Sequence, residues 1–467
     1  MDSVLGSIGR RIEAIASRRI AVRVVVLLVA ALLLGGWSFG AIVRERALGR
    51  DQFGRMGNLA YGLAALPSEA ARAFRMMMQD DLAGMATEHS DRFPGKQGWT
   101  FFDVRLESGL DGYLLFSRHD GDVGHHVFEL VDLKAGETVH RIDVDPERLF
   151  AGASSSSGRS VSSWLNPRRF QAVHPVPLDN GDLLVKAQES PMVRMTPCGD
   201  PVWILDDEFY HHTTEPGPDG NFWTSGFVRP QEVRGLAPTF YDPSIVEFSA
   251  EGKVLYHRSV TKMMLDQGLG FLILGAHKFY GDPLHLNDVQ PVFEDGPYWK
   301  RGDIFVSLRH PSTIMLIRPS TDKILWWKSG PWVSQHDVDV IDSTTIAVFN
   351  NNALNFGDGE FVNGRSDIIY YDFATDTVSS PYAKVLAAND FRNEAGGLFT
   401  VLPDGHYYVD ESESGRTLIF TPKGELAVEH INRAKKNGLI YHLGWSRYLT
   451  RAEGDRLKTR WKAAKCN

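Results

Sequence analysis

The pattern of apolar and polar residues changes along the chain, and each pattern predicts a different structure. Residues 24–43 form an uncharged apolar run, VVVLLVAALLLGGWSFGAIV, and about 20 such residues allow a helix to cross a bilayer. Apolar residues in 44–95 recur at helical spacing, which predicts a short helical stalk or cap. Residues 96–450 show short alternating runs between Asp-Gly, Asn-Gly and Pro-Asp turns, which predicts strands. We therefore expect a transmembrane helix and a stalk ahead of an all-β domain, with residues 451–467 as a C-terminal tail.

The strand region repeats a phrase of two strands after a histidine or another polar residue. Examples are EFYHHTTEPGPDGNFWTS, PLHLNDVQPVF and VSQHDVDVIDSTTIAVFNNN, and most copies follow a further strand pair joined by a Gly or Thr-Asp turn. The unit is thus about four strands, and a period of about fifty residues with four strands is typical of a β-propeller. We predict a six-bladed β-propeller, with a count that can differ by one blade.

Histidines recur at one position of this repeat. His212, His285 and His336 occupy equivalent corners, and equivalent corners of propeller blades converge at one end of the central channel. A candidate site therefore gathers side chains from several blades. Its expected members are His211, His212, His285, Asn287, Arg309 and His336.

Simpler roles stay open for each of these residues. A single histidine at the start of a strand is more often bonded to the backbone of a turn, and Asn350 to Asn352 are typical of a turn with left-handed residues. Arg309 ends the run DIFVSLRH, where it can be a solvated edge charge, and alternation places His310 on the opposite face. Three histidines at one repeat position are the stronger indication of a site.

Charge predicts the orientation of the chain and excludes one class of partner. Arginines stand at positions 10, 11, 18, 19 and 23, whereas the residues after the apolar run are mixed in charge. The positive-inside rule then keeps residues 1–23 in the cytoplasm and exports the rest, so we predict a single-pass inner-membrane protein with a periplasmic domain. The formal charge of -8, from 50 Lys and Arg against 58 Asp and Glu, argues against nucleic acid as a partner.

Two features have alternatives that the sequence leaves open. SFGA at 38–41 has the small residues of a signal-peptide cleavage site, although the apolar run exceeds the ~7–15 residues usual in such peptides. Cys198 and Cys466 are the two cysteines, and an oxidising compartment allows them to pair or to remain as thiols.

Around the candidate histidines the sequence resembles the bacterial arylsulfotransferases, which move a sulfuryl group from an aryl sulfate to a phenol without the adenylyl-sulfate cofactor. That family has HHD near a Pro-Asn-Gly turn, H-x-N-S followed by SSRH, and QH followed by FDNG, on a six-bladed propeller. This chain has HHTTEPGPDGN at 211–221, HLND at 285–288 with SLRH at 307–310, and QHDV at 335–338 followed by VFNN at 348–351. The resemblance extends from about Thr196 to Lys423, and the departures HHT, HLND and FNNN leave the identity of the substrate open.

The resemblance implies a role for each matching residue. His336 would be sulfurylated transiently, and the sulfate would be held by His285, Asn287, Arg309 and one of His211 or His212. From their positions we expect Gln335 or Asp337 to fix the tautomer of His336, and Asn350 or Asn351 to bind the ring or the sulfate without adding negative charge. The partners are then an aryl sulfate donor and a phenolic or other hydroxyl acceptor, and we expect no cofactor and no metal.

Elementary chemistry agrees with this implication. A sulfuryl group, like a phosphoryl group, transfers through a loose transition state with charge on its equatorial oxygens, so catalysis needs positioning and fixed positive donors. A neutral histidine can attack sulfur, and a second histidine can protonate a leaving phenolate whose pKa is about 10. Two other functions stay open: a metal-dependent propeller hydrolase using the same histidines, and a non-catalytic envelope propeller that binds a glycan or a protein.

Overall fold

The computed structural model describes residues 22–47, 52–78, 85–87, 89–153, 165–228, 233, 240–274, 281–356 and 359–466. The chain divides into two compact units, residues 1–80 and 81–467. The basic N-terminal segment expected at 1–23 lies outside the described residues, apart from its last two positions.

The first unit contains two helices, α1 (Val22–Ala47) and α2 (Gly54–Met78). The stretch Val22–Arg46 has a mean hydropathy of 2.3 and is long and apolar enough to cross a membrane, a test that an N-terminal signal sequence also passes. Leu32 and Trp37 on α1 are both 76% exposed, as a helix surrounded by lipid requires. Helix α1 thus coincides with the predicted membrane segment.

The second unit consists mainly of strands. They are β1 Gly98–Phe101, β2 Tyr113–Asp120, β3 His125–Asp132, β4 Glu137–Asp143, β5 Val176–Pro177, β6 Leu183–Val185, β7 Ser190–Met195, β8 Pro201–Pro216, β9 Phe222–Phe227, β10 Pro243–Phe248, β11 Val254–Ser259, β12 Leu286–Pro291, β13 Ile304–Leu308, β14 Thr313–Arg318, β15 Lys323–Ser329, β16 Val338–Val340, β17 Thr345–Asn350, β18 Ala353–Asn355, β19 Glu360–Val362, β20 Asp367–Asp372, β21 Thr377–Ser379, β22 Leu398–Val401, β23 Tyr407–Glu411, β24 Arg416–Phe420, β25 Leu426–Ile431 and β26 Arg447–Leu449.

These strands form separate antiparallel sheets in a propeller-like arrangement. Three sheets have four strands (β26-β2-β3-β4, β12-β13-β14-β15 and β16-β17-β20-β21), one has five (β1-β25-β24-β23-β22), one has seven (β5 to β11 in order), and β18 pairs with β19 as a hairpin. Strand β26 pairs with β2 and β1 pairs with β25, so early and late strands share two of the sheets. Propellers close their ring by such pairing. The expected all-β domain of propeller type is confirmed.

Apolar side chains are buried between neighbouring sheets. One cluster joins Ile245 of β10, Val289 of β12 and Val306 of β13. Every residue of β13 is buried, because a sheet covered on both faces needs continuous rather than alternating apolar residues. This packing holds adjacent sheets together, so the loops that precede their first strands lie close to one another.

Short helices lie between the strands, and a longer helix follows them. They are α3 Val104–Glu107, α4 Pro146–Leu149, α5 Val260–Asp266, α6 Gly270–Ile273, α7 Ala383–Ala388 and α8 Arg451–Ala463, with a 3-10 turn at Pro319–Thr321. Helix α8 occupies most of the segment expected as a tail, and its Trp461 is buried, with Nε1 donating to the carbonyl of Gly181 at 2.8 Å. A disulfide between Cys198 and Cys466 ties the end of the chain to the turn before β8.

Candidate active site

Two left-handed backbone corners place the first two histidines. His212 has a φ of 54° and His285 a φ of 49°, a conformation that costs a non-glycine residue about 1 kcal/mol or more. At His212 the register of β8 against β9 shifts between His211 and Thr214, and His285 directly precedes β12. The two imidazole centroids lie 5.2 Å apart, so both corners direct their rings into one space.

Four rings meet in that space. That of His212 lies within β8, and those of His285, His336 and Trp445 precede β12, β16 and β26. The imidazole of His212 lies 5.7 Å from that of His336 and 5.8 Å from the indole of Trp445, measured between ring centroids. The rings border a cavity of about 300 Å³. Its lining residues are Gln171, Val173, Gln188, His212, His285, Arg309, His336, Glu360, Ala395, Gly396, Ser412, Glu413, His442 and Trp445.

His336 is held in one tautomer by two hydrogen bonds. Its Nδ1 lies 2.7 Å from Oδ1 of Asn351, and Nδ2 of Asn351 donates to the carbonyls of Asn393 and Gly396 at 3.0 and 2.8 Å. Because that amide nitrogen is occupied as a donor, Oδ1 accepts and the ring proton is assigned to Nδ1. The backbone N–H of Gly396 donates to Nε2 at 2.9 Å.

The charge state of His336 follows from its surroundings. Burial, followed by the positive charge of Arg309, holds the pKa of His336 well below its ordinary value of 6.5. Burial and the neighbouring histidines have the same effect on the pKa of His212. Both imidazoles are therefore neutral at pH 7, and Nε2 of His336 carries a lone pair.

His285 is oriented by the carboxylate of Asp282. Its Nδ1 lies 2.5 Å from Oδ2 of Asp282, and its backbone N–H donates to Oδ1 at 3.0 Å. The ring of His310 lies 4.8 Å from that of His285, and Nδ1 of His310 donates to the carbonyl of Asp282. With Nδ1 bonded to Asp282, Nε2 is the nitrogen of His285 that is left for a ligand.

Arg309 is part of the cavity wall and not a solvated edge charge. Its side chain is only 8% exposed, and Nη2 pairs with Oε1 of Glu360. Nη1 donates to Nε2 of His310 at 3.3 Å, and burial lowers the pKa of His310 to about 4, which leaves that nitrogen free of a proton at neutral pH. Strand β13 ends at Leu308, so alternation does not extend to His310, and the expectation that it faces away is wrong.

The expected site residues divide into three groups. His212, His285, Arg309 and His336 line the cavity. Asn351 lies behind His336 and fixes its ring, whereas His211 lies behind His212, with the two Nδ1 atoms 2.6 Å apart. The ring of His211 stacks on Phe227 at 4.4 Å.

The remaining expected residues bond to the backbone outside the cavity lining. Gln335 donates through Nε2 to the carbonyl of Leu308 at 2.9 Å, and Asn287 donates to the carbonyl of Gln335 at 2.8 Å. Oδ1 of Asn350 accepts from the N–H of Val333 at 2.8 Å. Asp337 accepts from the N–H of Phe399 at 2.9 Å. The partner of the His336 Nδ1 is therefore Asn351, where Gln335 or Asp337 was expected.

Sequence reasoning missed one wall of the cavity, which contains Gly396, His442 and Trp445. Trp445 has a φ of 56° and lies two residues before β26, which makes it one more corner of the same repeat. Extending the repeat to the last strand would have found it. Gly396 has a φ of 69° and is a corner of the same repeat, two residues before β22. Its neighbour Gly397 has a φ of 103°, and a Cβ there would lie 2.3 Å from the ring of Phe349.

Comparison with known proteins gives a match to a protein family. Residues 174–433 match the family model described as arylsulfotransferase (ASST). No curated protein matches the chain. Cys466, Trp445 and His442 lie beyond the matched segment.

Similar solved structures include a protein of unknown function from Bacteroides caccae, at 12% identity and a TM-score of 0.42, covering 71% of this chain and 98% of that one. The WD40 β-propeller domain of Doa1 is 13% identical with a TM-score of 0.38, over 76% of this chain and 93% of the domain. Virginiamycin B lyase from Staphylococcus aureus is 12% identical with a TM-score of 0.32, over 56% and 70%.

Proposed function

The chain belongs to the arylsulfotransferase family, and from this premise we propose that it transfers a sulfuryl group from an aryl sulfate to a phenolic or other hydroxyl acceptor. The observation that carries the proposal is His336, a neutral buried imidazole on the cavity wall with its lone pair on Nε2. The reaction then has two steps and passes through a sulfohistidine.

In the first step Nε2 of His336 attacks the sulfur of the aryl sulfate. The N–S bond forms, the bond from sulfur to the aryl oxygen breaks, and the phenolate leaves. The ring becomes positive as it loses its lone pair, and Oδ1 of Asn351 stabilises the N–H on Nδ1. Because Nε2 accepts the N–H of Gly396 at rest, the donor has to displace that hydrogen bond, at a net cost of about 1 kcal/mol.

Proton transfer in both steps is assigned to His285. Its Nε2 gives a proton to the departing phenolate and later takes one from the acceptor hydroxyl, whose oxygen attacks the sulfur and releases His336. Asp282 positions the ring through Nδ1. Arg309, an always-charged planar donor on the same wall, is placed to hold the sulfuryl oxygens as their negative charge grows.

The kinetics test this two-step route. A chromogenic aryl sulfate should release one phenol per protein rapidly and then turn over at a rate set by the hydroxyl acceptor, giving parallel double-reciprocal plots when both concentrations are varied. Intersecting plots with no burst would mean direct transfer in one ternary complex and would contradict the sulfohistidine.

A metal-dependent hydrolase is the second candidate, because Asp282, His285 and His310 place one ligand atom each within 4.8 Å of one another. Against it, both Nδ1 atoms already bond to Asp282, and Arg309 donates to His310, where its charge repels a cation. We expect EDTA to change the turnover rate by less than about twofold, because none of the proposed steps uses a metal ion. A loss of more than about tenfold that added Zn²⁺ restores would favour the hydrolase.

The blade count is proposed as six, with the seven-stranded sheet counted as two blades that share β8. Residues Pro201 to Leu205 of that strand pair with β7, whereas Thr214 to Pro216 pair with β9. Six first strands then follow a left-handed corner, at His174, His212, His285, Ser334, Gly396 and Trp445, with φ of 50°, 54°, 49°, 50°, 69° and 56°. An experimental structure in which β5 to β11 form one blade would contradict this count.

We also place the catalytic unit in the periplasm, with α1 as a single-pass anchor in the inner membrane and the N-terminus in the cytoplasm. The arginines before the apolar run support this direction, as does a disulfide, which persists in an oxidising compartment. Protease added to spheroplasts should digest the catalytic unit, and its protection there would reverse the topology.

A further inference from the structure

The guanidinium of Arg309 already has an anionic partner in the cavity. Nη2 pairs with Oε1 of Glu360, and both side chains line the cavity. Glu360 is 30% exposed, compared with 8% for Arg309. A carboxylate therefore occupies part of the donor group that would hold a sulfuryl oxygen.

Glu360 comes from an element outside the blades. It begins β19, which pairs with β18 as a two-stranded hairpin, with Glu360 opposite Asn355. The base of the hairpin is tied by Asn352, whose Nδ2 donates to the carbonyl of Asn363 at 2.7 Å. No blade strand carries Glu360, so its side chain can turn toward solvent without breaking a blade sheet.

The charged side chains of the cavity lining do not sum to a positive charge, since one arginine stands against two glutamates. Among the described residues that line it, Arg309 is the one arginine or lysine, and two glutamates, Glu360 and Glu413, line it as well. Burial holds the pKa of His336 well below its ordinary value and that of His442 at about 4. At neutral pH an anion that enters meets one guanidinium and an adjacent carboxylate.

We propose that Glu360 makes this site selective for monoanionic sulfate esters over dianions such as inorganic sulfate and phosphate monoesters. The inference deepens the proposed function and rests on it. An anion bound at Arg309 stays near the Glu360 carboxylate, and the repulsion between them scales with the charge of the anion. A sulfate ester carries one negative charge, whereas a phosphate monoester carries between one and a half and two at pH 7. A site with one guanidinium beside one carboxylate therefore binds a monoanion at a smaller electrostatic cost than a dianion.

Binding without turnover tests the proposal. We would measure the dissociation constants of inorganic sulfate, a dianion, and benzenesulfonate, a monoanion, by calorimetry on the full chain in detergent at pH 7.5. Glu360→Gln should lower the dissociation constant of sulfate about tenfold and that of benzenesulfonate about threefold. The reason is that the substitution removes a repulsion whose energy is proportional to the charge of the ligand. The matched control is Glu413→Gln, which removes the same charge from the same cavity. Its effect on the ratio of the two constants should be smaller than that of Glu360→Gln, because Glu360 is the carboxylate that pairs with Arg309.

Three results would overturn the proposal. Weaker binding of both anions by Glu360→Gln, including loss of measurable binding, would show that Glu360 positions Arg309 instead. Equal tightening of both anions would show a competitor without charge selectivity. An equal change of the ratio in Glu413→Gln would assign the effect to overall cavity charge. The sulfohistidine can fail independently, since these constants require no transfer, and thermal unfolding of each variant shows that it is folded.

Discussion

Replacing His336 by alanine is expected to abolish sulfuryl transfer, with a loss of more than about a thousandfold in kcat, because the covalent route then has no nucleophile. Incubated with an aryl sulfate and no acceptor, the native protein should gain about 80 Da by intact mass, the mass of one sulfuryl group. The His336→Ala variant should gain nothing. Since the pKa of His336 is held well below 6.5, the lone pair persists as pH falls. With a nitrophenyl sulfate, whose phenolate leaves without a proton, the rate of adduct formation should therefore change little between pH 8 and pH 6.

The control for this prediction is His442→Ala, which removes another, partly buried histidine from the same cavity and should still form the adduct. Adduct in His336→Ala would place the nucleophile elsewhere and overturn the assignment. If the folded native protein binds the ester, leaves it intact and gains no mass, the non-catalytic envelope propeller becomes the better function.

The propeller-like architecture could be predicted because two of its causes are local. Strand periodicity and turn chemistry depend on neighbouring residues, and the histidine corners recur at one position of the repeat. The long strand β8 is different. It runs from Pro201 to Pro216 and pairs with β7 and then with β9. Between positions 205 and 214 it has Asp206 and Asp207 but no glycine, proline or asparagine, so a break in the strand is only weakly indicated.

The site was predictable where a residue belongs to the repeat, and not where its function depends on a distant loop. His212 and His285 were found from their corners, whereas His336 lies two residues after the left-handed corner of its blade, which is Ser334. The hydrogen bond from Gly396 to His336 spans 60 positions, and the pair Arg309–Glu360 spans 51, so no spacing in the sequence signals either. Asp282 could have been predicted from the sequence, because it stands only three residues before His285, to which it bonds.

Backbone conformation at the corners also escapes sequence reasoning. Positive φ is usually assigned to glycine, asparagine or aspartate, yet histidines hold it at 212 and 285. His212 stands between the buried residues His211 and Thr213, and His285 between Leu284 and Leu286. Their rings lie 5.2 Å apart in the cavity. Local preference therefore fails at two corners whose side chains line the cavity.

Loss of the His285 ring should slow transfer to an extent that depends on the phenol that leaves. For an aryl sulfate whose phenol has a pKa near 10, His285→Ala is expected to lower the rate of the first step by about 10²–10⁴-fold, because a poor leaving group needs a proton as the bond to sulfur breaks. For a nitrophenyl sulfate the phenolate leaves unaided, and the loss should shrink to less than about tenfold. Asp282→Asn keeps the size of the positioning side chain and should show the same dependence on leaving group with a smaller loss. The measurement is the burst rate for a series of ring-substituted aryl sulfates with each variant. If His285 is only structural, its loss should slow every ester equally, and the plots of burst rate against phenol pKa should be parallel for the native protein and the variant. Parallel plots would therefore assign the proton to another residue. A steeper plot for His285→Ala identifies Nε2 of His285 as the source of the proton.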